Sequence, residues 1–264
     1  MLFLLHYLRS AQRKTDENLI SNSSAKIGVK ESFQEAWTDV ANFLCKSGWE
    51  IQNLIVRVQN PTLFDIKLNK KFIKFAVDNN LKTPKAVAYT IFPHKLYKKC
   101  GNATNLFNAY NRRRGLYERL KIRQPNTWGT YFKRMTHYPT SGGTINQLAN
   151  IIGAINNRGY ISKAAYTIII QKAGSETIRP RGGPCLNYLA IQLDPNERTL
   201  GILAVYRNHD FLEMAYGNYW GLCNLIDFMA RETNFNPGYL TCISSRSYVK
   251  DKKSCFKKFV DSTL

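Results

Sequence analysis

The second half of the chain carries its most constraining feature, a pair of apolar runs separated by a four-residue turn and followed by a long apolar helix. Leu186 to Leu193 and Leu200 to Tyr206 read as strands, and Asp194-Pro195-Asn196-Glu197 between them reads as the turn of an antiparallel hairpin. Asn218 to Thr233 then has the length and spacing of a helix, with Asn218 as its N-cap residue, and Asn236-Pro237-Gly238 stops it. Tyr239 to Ile243 reads as a last strand. Upstream, Thr144 to Asn156 has apolar residues at helical spacing with Thr144 as cap, and Ala165 to Ile170 is a β-branched strand.

The first half is less sharply patterned. Residues 1 to about 30 read as a polar lead-in, and 31–264 as one domain. Glu31 to Gly48 reads as a helix, and Ile51 to Val58 alternates as a strand ending at Asn60-Pro61. Phe72 to Asn80 and Lys85 to Tyr89 are short mixed segments, Ala103 to Ile122 is a basic helix or helix pair, and a Pro- and Gly-containing loop follows through Gly143. Helices and strands thus alternate irregularly, with antiparallel pairing and no internal repeat. That is the pattern of an α+β fold with an N-terminal helical elaboration.

Composition narrows the function classes. The 264 residues carry 38 Lys+Arg against 18 Asp+Glu, a net charge of +20 that favours anionic partners such as nucleotides, nucleic acid or polyglutamylated cofactors. Residues 95–123 concentrate Lys95, Lys98, Lys99, Arg112, Arg113, Arg114, Arg119, Lys121 and Arg123 among Tyr97, Phe107, Tyr110 and Tyr117, the composition of a nucleic-acid surface or of a solvated helix face. Apolar runs fall short of the roughly 18–20 residues of a membrane span, and Met1 to Leu5 is too short for a signal-peptide core. The expectation is a cytoplasmic protein with reduced thiols and no membrane partner. Six cysteines lie far apart with no CxxC, so no structural metal site is expected.

No Walker A, GxGxxG after a strand, HExxH or GxSxG is present. What stands out is Pro184-Cys185 at a strand start, then Arg207-Asn208-His209-Asp210 at the end of the hairpin, then Asn218 at the head of the long helix. By itself Cys185 is a buried small hydrophobe or a nucleophile, Arg207 an ion-pair residue or a phosphate ligand, and Asp210 a turn acceptor or a ligand contact. His209 reads as solvent-facing or structural rather than as a general base.

The order and spacing of these residues resemble thymidylate synthase and its pyrimidine hydroxymethylase relatives. Gly183-Pro184-Cys185 is similar to the family's Pro-Cys nucleophile segment, and Arg207-Asn208-His209-Asp210 to its Arg-Ser-x-Asp. The eight residues from Asp210 to Asn218 and the nineteen from Asn218 to Pro237 are the family's spacings. Ile145-Asn146-Gln147-Leu148 looks like its Ile/Val-Asp-Gln-Leu helix start, and Trp128-Gly129-x-x-Phe132-Lys133 like its Tyr-Gly-x-x-Trp-Arg. The likeness covers roughly residues 125–250.

The resemblance implies a thymidylate synthase-like mixed sheet packed with helices, a homodimer with sheets back to back, and a folate-dependent C5 methyl- or hydroxymethyltransferase of a pyrimidine nucleoside monophosphate. Cys185 would attack C6, Arg207 and Asn208 hold phosphate, and Asn218 read a uracil ring. Asp210 and Trp128 would contact the cofactor, 5,10-methylenetetrahydrofolate, and Tyr248 stands by spacing in place of a ribose-binding His. Arg179 and Arg181, before Gly182-Gly183, are further phosphate candidates. Leu186 stands where the family has His after the nucleophile, Lys163-Ala164 where it has Arg-Arg, and no match to its N-terminal glutamate is found. A relative that binds nucleotide or nucleic acid without carbon transfer is the alternative.

Overall fold

The computed structural model describes residues 26–120, 128–157, 163, 166–177 and 182–263. Nine strands and nine helices are assigned among them. In chain order they run β1 (Lys26–Lys30), α1 (Phe33–Lys46), β2 (Glu50–Val58), α2 (Ile66–Asp78), α3 (Pro84–Ile91), α4 (His94–Cys100), α5 (Ala103–Leu120), α6 (Tyr131–Thr136), β3 (Tyr138–Thr140), β4 (Gly143–Ile145), α7 (Gln147–Asn157), β5 (Tyr166–Ile169), β6 (Leu186–Asp194), β7 (Thr199–Tyr206), β8 (His209–Asp210), α8 (Tyr216–Glu232), β9 (Asn236–Tyr248) and α9 (Lys253–Asp261), with one π-helical turn, Phe211–Ala215, leading into α8. The fold is a mixed sheet packed by helices: seven strands with the path β1-β2-β9-β7-β6-β5, and β8 paired to β9.

Several boundaries differ from the sequence reading, each for a local reason. Residues 26–30 belong to the fold rather than to a lead-in, because β1 adds in parallel to the edge of β2. Ser32 begins α1 with a reciprocal capping box to Glu35. The segments around Phe72 and Val87 are full helices, started by Asp65 and by Thr83 ahead of Pro84. Thr144 lies in the β3–β4 hairpin, and Asn146 accepts from the Ala149 amide at 3.0 Å at the start of α7. The last strand is thirteen residues long, because it continues past Ile243 to pair with β8.

Register divides the sheet into two faces. Gly28, Val56, Cys242, Ala204, Leu189 and Ile168 form one cross-strand row, all buried. The adjacent residues, Ile27, Ile55, Ile243, Val205, Tyr188 and Ile169, form a row on the opposite face that stays partly open to solvent. Ile27 is 65% and Ile169 40% exposed.

The helix-side core is organised around Trp37, whose side chain is fully buried. Its ring meets Phe72 at 4.9 Å and Tyr216 at 5.4 Å edge-on, lies parallel to Phe211 at 5.9 Å, and its Nε1–H donates to the Phe211 carbonyl at 3.3 Å. One indole thereby ties α1 to α2, to the π-helical turn and to α8. Helix α3 crosses α8 closely enough that glycine is required at the crossing: a Cβ at Gly217 would stand 2.5 Å from the Val87 Cβ, and one at Gly221 2.8 Å from the Ala88 carbonyl. Trp37→Ala is expected to cost about 3–5 kcal/mol through the cavity it leaves. Urea unfolding measures this, and a loss under 1 kcal/mol would show that the indole does not organise this core.

Candidate functional site

The hairpin β6–β7 creates the site through a change of register. From Asp194↔Thr199 to Tyr188↔Val205 the pairing is regular, but Leu186 pairs with Tyr206, so Asn187 forms a bulge that shifts the rung by one residue. Without the bulge Cys185 would fall opposite Asn208. With it, the Arg207 amide donates to the Cys185 carbonyl at 2.9 Å and the Arg207 Nε donates to the Pro184 carbonyl at 3.2 Å. The thiol and the guanidinium, twenty-two residues apart in sequence, are thus neighbours across the end of a hairpin.

Cys185 is half-buried. Burial pushes its thiol above the ordinary value of 9.0; the Arg207 guanidinium pulls it back down and the Asp210 carboxylate pushes it up. The sulfur also interacts electrostatically with Tyr131, whose hydroxyl accepts from the Leu186 amide at 3.4 Å and whose own ionisation is suppressed by burial. Tyr131 packs against Trp128, ring centroids 4.8 Å apart, so Trp128 reaches the site through it. Arg134, one helical turn on, donates to the Trp128 carbonyl at 3.2 Å and makes a buried ion pair with Glu176. Gln147, from the Ile-Asn-Gln-Leu segment, plays a structural part: its amide bonds both the N–H and the C=O of Ile169 on the edge of β5.

The Arg207–Asp210 segment runs straight into the site. Short strand β8 sets His209 opposite Ser247 and Asp210 opposite Tyr248. Asp210 caps the π-helical turn, accepting from the Glu213 amide at 3.0 Å, and burial raises its carboxyl above the ordinary value. Asn208 accepts from Arg246 at 3.4 Å and is hydrogen-bonded to Tyr248. Arg246, held by both oxygens of Glu50 at 2.8 and 2.6 Å, lies over the Tyr248 ring at 4.5 Å. Tyr248 is coupled electrostatically to Asp210 and Cys185, and burial raises its hydroxyl pKa.

Asn218 does not cap α8. It is the third residue of the helix, 1% exposed, and its amide nitrogen donates to His209 Nε2 at 3.0 Å. His209 is fully enclosed rather than solvent-facing. Its ring lies parallel to Tyr206 at 4.2 Å, its Nδ1 is 3.0 Å from the Ser244 Oγ, and burial depresses its pKa to about 3. Around this ring Asn218 Oδ1, Tyr206 Oη, Tyr219 Oη and Ser247 Oγ are buried with no hydrogen-bond partner among the described residues. Buried polar atoms are nearly always paired, so a cluster of such atoms indicates a place where water or a ligand supplies the partners.

The structure therefore brings together Cys185, Arg207, Asn208, Asp210, Asn218, Tyr248 and, through Tyr131, Trp128. Arg179 and Arg181 lie outside the described residues, as does Ala164. Motif reading misses Arg246 altogether and gives Tyr131 and His209 none of these contacts. Tyr131 follows an unfamiliar Trp-Gly-Thr, while His209 and Arg246 gain their roles only from pairing with Asn218 and Asn208.

The basic segment divides on inspection. Lys95, Lys98 and Lys99 are exposed on α4, but Tyr97 and Tyr110 are 8% and 3% exposed and belong to the core, so these aromatic rings are not a stacking surface for bases. A separate cavity of about 640 Å3 opens along the other side of α8, lined by residues including Phe64, His94, Lys98, Trp220 and Asp227, and contains none of the predicted site residues. Among the described residues no group of three or more His, Cys, Asp or Glu is arranged to hold a metal ion, and no helix is long and apolar enough to cross a membrane. In comparisons with known proteins, no family model and no curated protein matches the chain.

Because Arg207 is the group that lowers the Cys185 pKa, Arg207→Gln moves that pKa further up. Peptide-resolved iodoacetamide labelling across pH 7–10.5 measures it. The inflection for Cys185 should lie above the ordinary thiol value and rise again in Arg207→Gln, and an unchanged or lower inflection would separate the two side chains electrostatically.

Proposed function

We propose that the chain is a one-carbon transferase of the thymidylate synthase type, acting at C5 of a uracil-type nucleoside monophosphate with Cys185 as nucleophile. The observation that carries this reading is the convergence of a half-buried thiol, a guanidinium and a carboxamide at one end of the sheet, with unpaired buried polar atoms around the neighbouring His209 ring. The order of elements, with the thiol before β6, the Arg-to-Asp segment after β7 and Asn218 in the helix between β8 and β9, supports a thymidylate synthase-like fold.

The chemistry follows from the residues. The Cys185 thiolate bonds to C6, and the electron pair of the C5–C6 double bond moves toward O4, leaving C5 nucleophilic. A thiol with a raised pKa ionises less but is the stronger nucleophile once ionised. Arg207 and Asn208 take the phosphate through charge-assisted bonds, while Asn218 accepts from N3–H and donates to O4. The hydroxyl of Tyr131, beside the sulfur, is suited to hold a proton or a water during loss of hydrogen from C5. The desolvated Asp210 carboxylate and the half-buried Trp128 ring fit a donor-rich flat heterocycle, so they would hold the folate. When bound, that cofactor supplies a carbon at the oxidation level of formaldehyde.

Incubation with 5-fluoro-dUMP and methylenetetrahydrofolate tests the reading. Intact-mass analysis under denaturing conditions should detect a covalent adduct that Cys185→Ser abolishes. The alternative, binding without carbon transfer, draws on Leu186, which is fully buried hydrocarbon where the family has His. Absence of an adduct with any fluorinated pyrimidine monophosphate, together with retained nucleotide or nucleic-acid binding, would favour that alternative.

The open face of the sheet supports a homodimer. Six strands at about 4.8 Å spacing, with central strands some 26 Å long, present roughly 750 Å2, close to the ~800 Å2 per partner of a stable complex. The Ile27-to-Ile169 row is uncharged, and a second copy offers the same apolar row in return. Sedimentation velocity should give twice the 30.3 kDa chain mass, reduced toward the monomer by Val205→Asp. A wild-type monomer at tens of micromolar would overturn the assembly.

A further inference from the structure

Asn218 has two ways to face a ligand, and its neighbours choose between them. With its nitrogen on His209, the amide offers one remaining N–H and an unpaired oxygen. Rotated by half a turn, it would place its oxygen on the ring, using one lone pair there, and turn its NH2 group to the space that the oxygen now faces. The first arrangement matches the N3–H and O4 edge of uracil; the second sets a donor against N3–H.

The hydrogen bonds around the ring have a direction that selects the first arrangement. The Asn218 amide nitrogen lies 3.0 Å from His209 Nε2, and an NH2 group only donates, so Nε2 is the acceptor of that bond. His209 then carries its proton on Nδ1, which donates to the Ser244 oxygen at 3.0 Å. An amide oxygen turned to Nε2 would instead meet a bare lone pair. The imidazole cannot rearrange by taking a second proton, because it is fully buried and lies flat on Tyr206.

We propose that His209 is a positioning residue that holds the Asn218 carboxamide with its oxygen left unpaired as an acceptor, so that base selection is governed by a side chain that does not touch the base. This rests on the pyrimidine reading above, but the orientation itself can be measured without a ligand. The sequence reading of His209 as merely solvent-facing or structural does not anticipate it, since the Ser244–His209–Asn218 chain joins residues from β9, β8 and α8.

Two measurements test the proposal. In the unliganded protein, long-range 1H–15N correlation of the imidazole should show the Nδ1–H tautomer, and an Nε2–H tautomer would overturn the assigned orientation. For base selection, His209→Phe keeps a ring against Tyr206 but removes both nitrogens. With folding verified by circular dichroism, the preference for dUMP over dCMP in calorimetric titration should fall about tenfold or more, a loss on the scale of one buried hydrogen bond, while affinity for deoxyribose 5-phosphate stays within twofold. A merely structural role would weaken all three ligands alike or leave the ratio intact, and either result would refute the positioning role. If wild-type protein binds neither monophosphate, the pyrimidine reading fails and takes the base-selection claim with it, whereas the tautomer still decides the orientation.

Discussion

The pairing of β9 is the constraint on which the rest of the molecule depends. Along its thirteen residues it is bonded antiparallel to β2 on one side and parallel to β7 and then β8 on the other. Its β2 pairing joins the N-terminal part of the chain to the hairpin, and its last rungs present Ser247 and Tyr248 to His209 and Asp210. Each rung is cheap alone, since the net gain of a hydrogen bond is about 0.5–1.5 kcal/mol. Together they fix in one register three segments that bear the site.

Against that frame the site is assembled by small departures from regularity. The bulge at Asn187 turns Cys185 toward Arg207 instead of Asn208, and the π-helical turn from Phe211 to Ala215 runs directly into α8 at Tyr216, so that Asn218 lies inside the helix rather than at its cap. Both irregularities leave backbone or side-chain groups to be satisfied locally: Asp210 takes the Glu213 amide, and His209 takes the Asn218 nitrogen. The thiol and carboxylate are both partly desolvated, which raises their pKa values and strengthens any interaction made in that space. On the opposite face of the same sheet, polar and charged groups are nearly absent from the open row. One face of the sheet is thus covered by helices, and the other stays partly open to solvent.

Much of this was legible in the residues themselves. The hairpin could be read because Asp194-Pro195-Asn196-Glu197 is local turn chemistry, with the Asp194 carboxylate accepting from the Asn196 and Glu197 amides at 2.9 and 3.2 Å. The long helix could be read from its apolar spacing, and Cys185, Arg207, Asp210 and Asn218 from their order and separation. Signals of that kind act over a few residues, or depend only on counting along the chain.

Other features were decided by contacts that no local pattern encodes. Residues 26–30 are a strand because an edge of β2 was available to receive them, and Tyr97 and Tyr110 face inward because α4 and α5 pack on the core. His209 carried no signal of burial in its neighbourhood of Arg207, Asn208 and Asp210; it is enclosed because Tyr206, Ser244 and Asn218 meet around it. Chain order alone sufficed to nominate candidate groups, since residue type determines what a thiol, guanidinium or carboxamide can do. Which atoms of those groups are paired, and how strongly they hold protons, was decided by tertiary packing, because burial and hydrogen-bond direction exist only between segments brought together from distant parts of the chain.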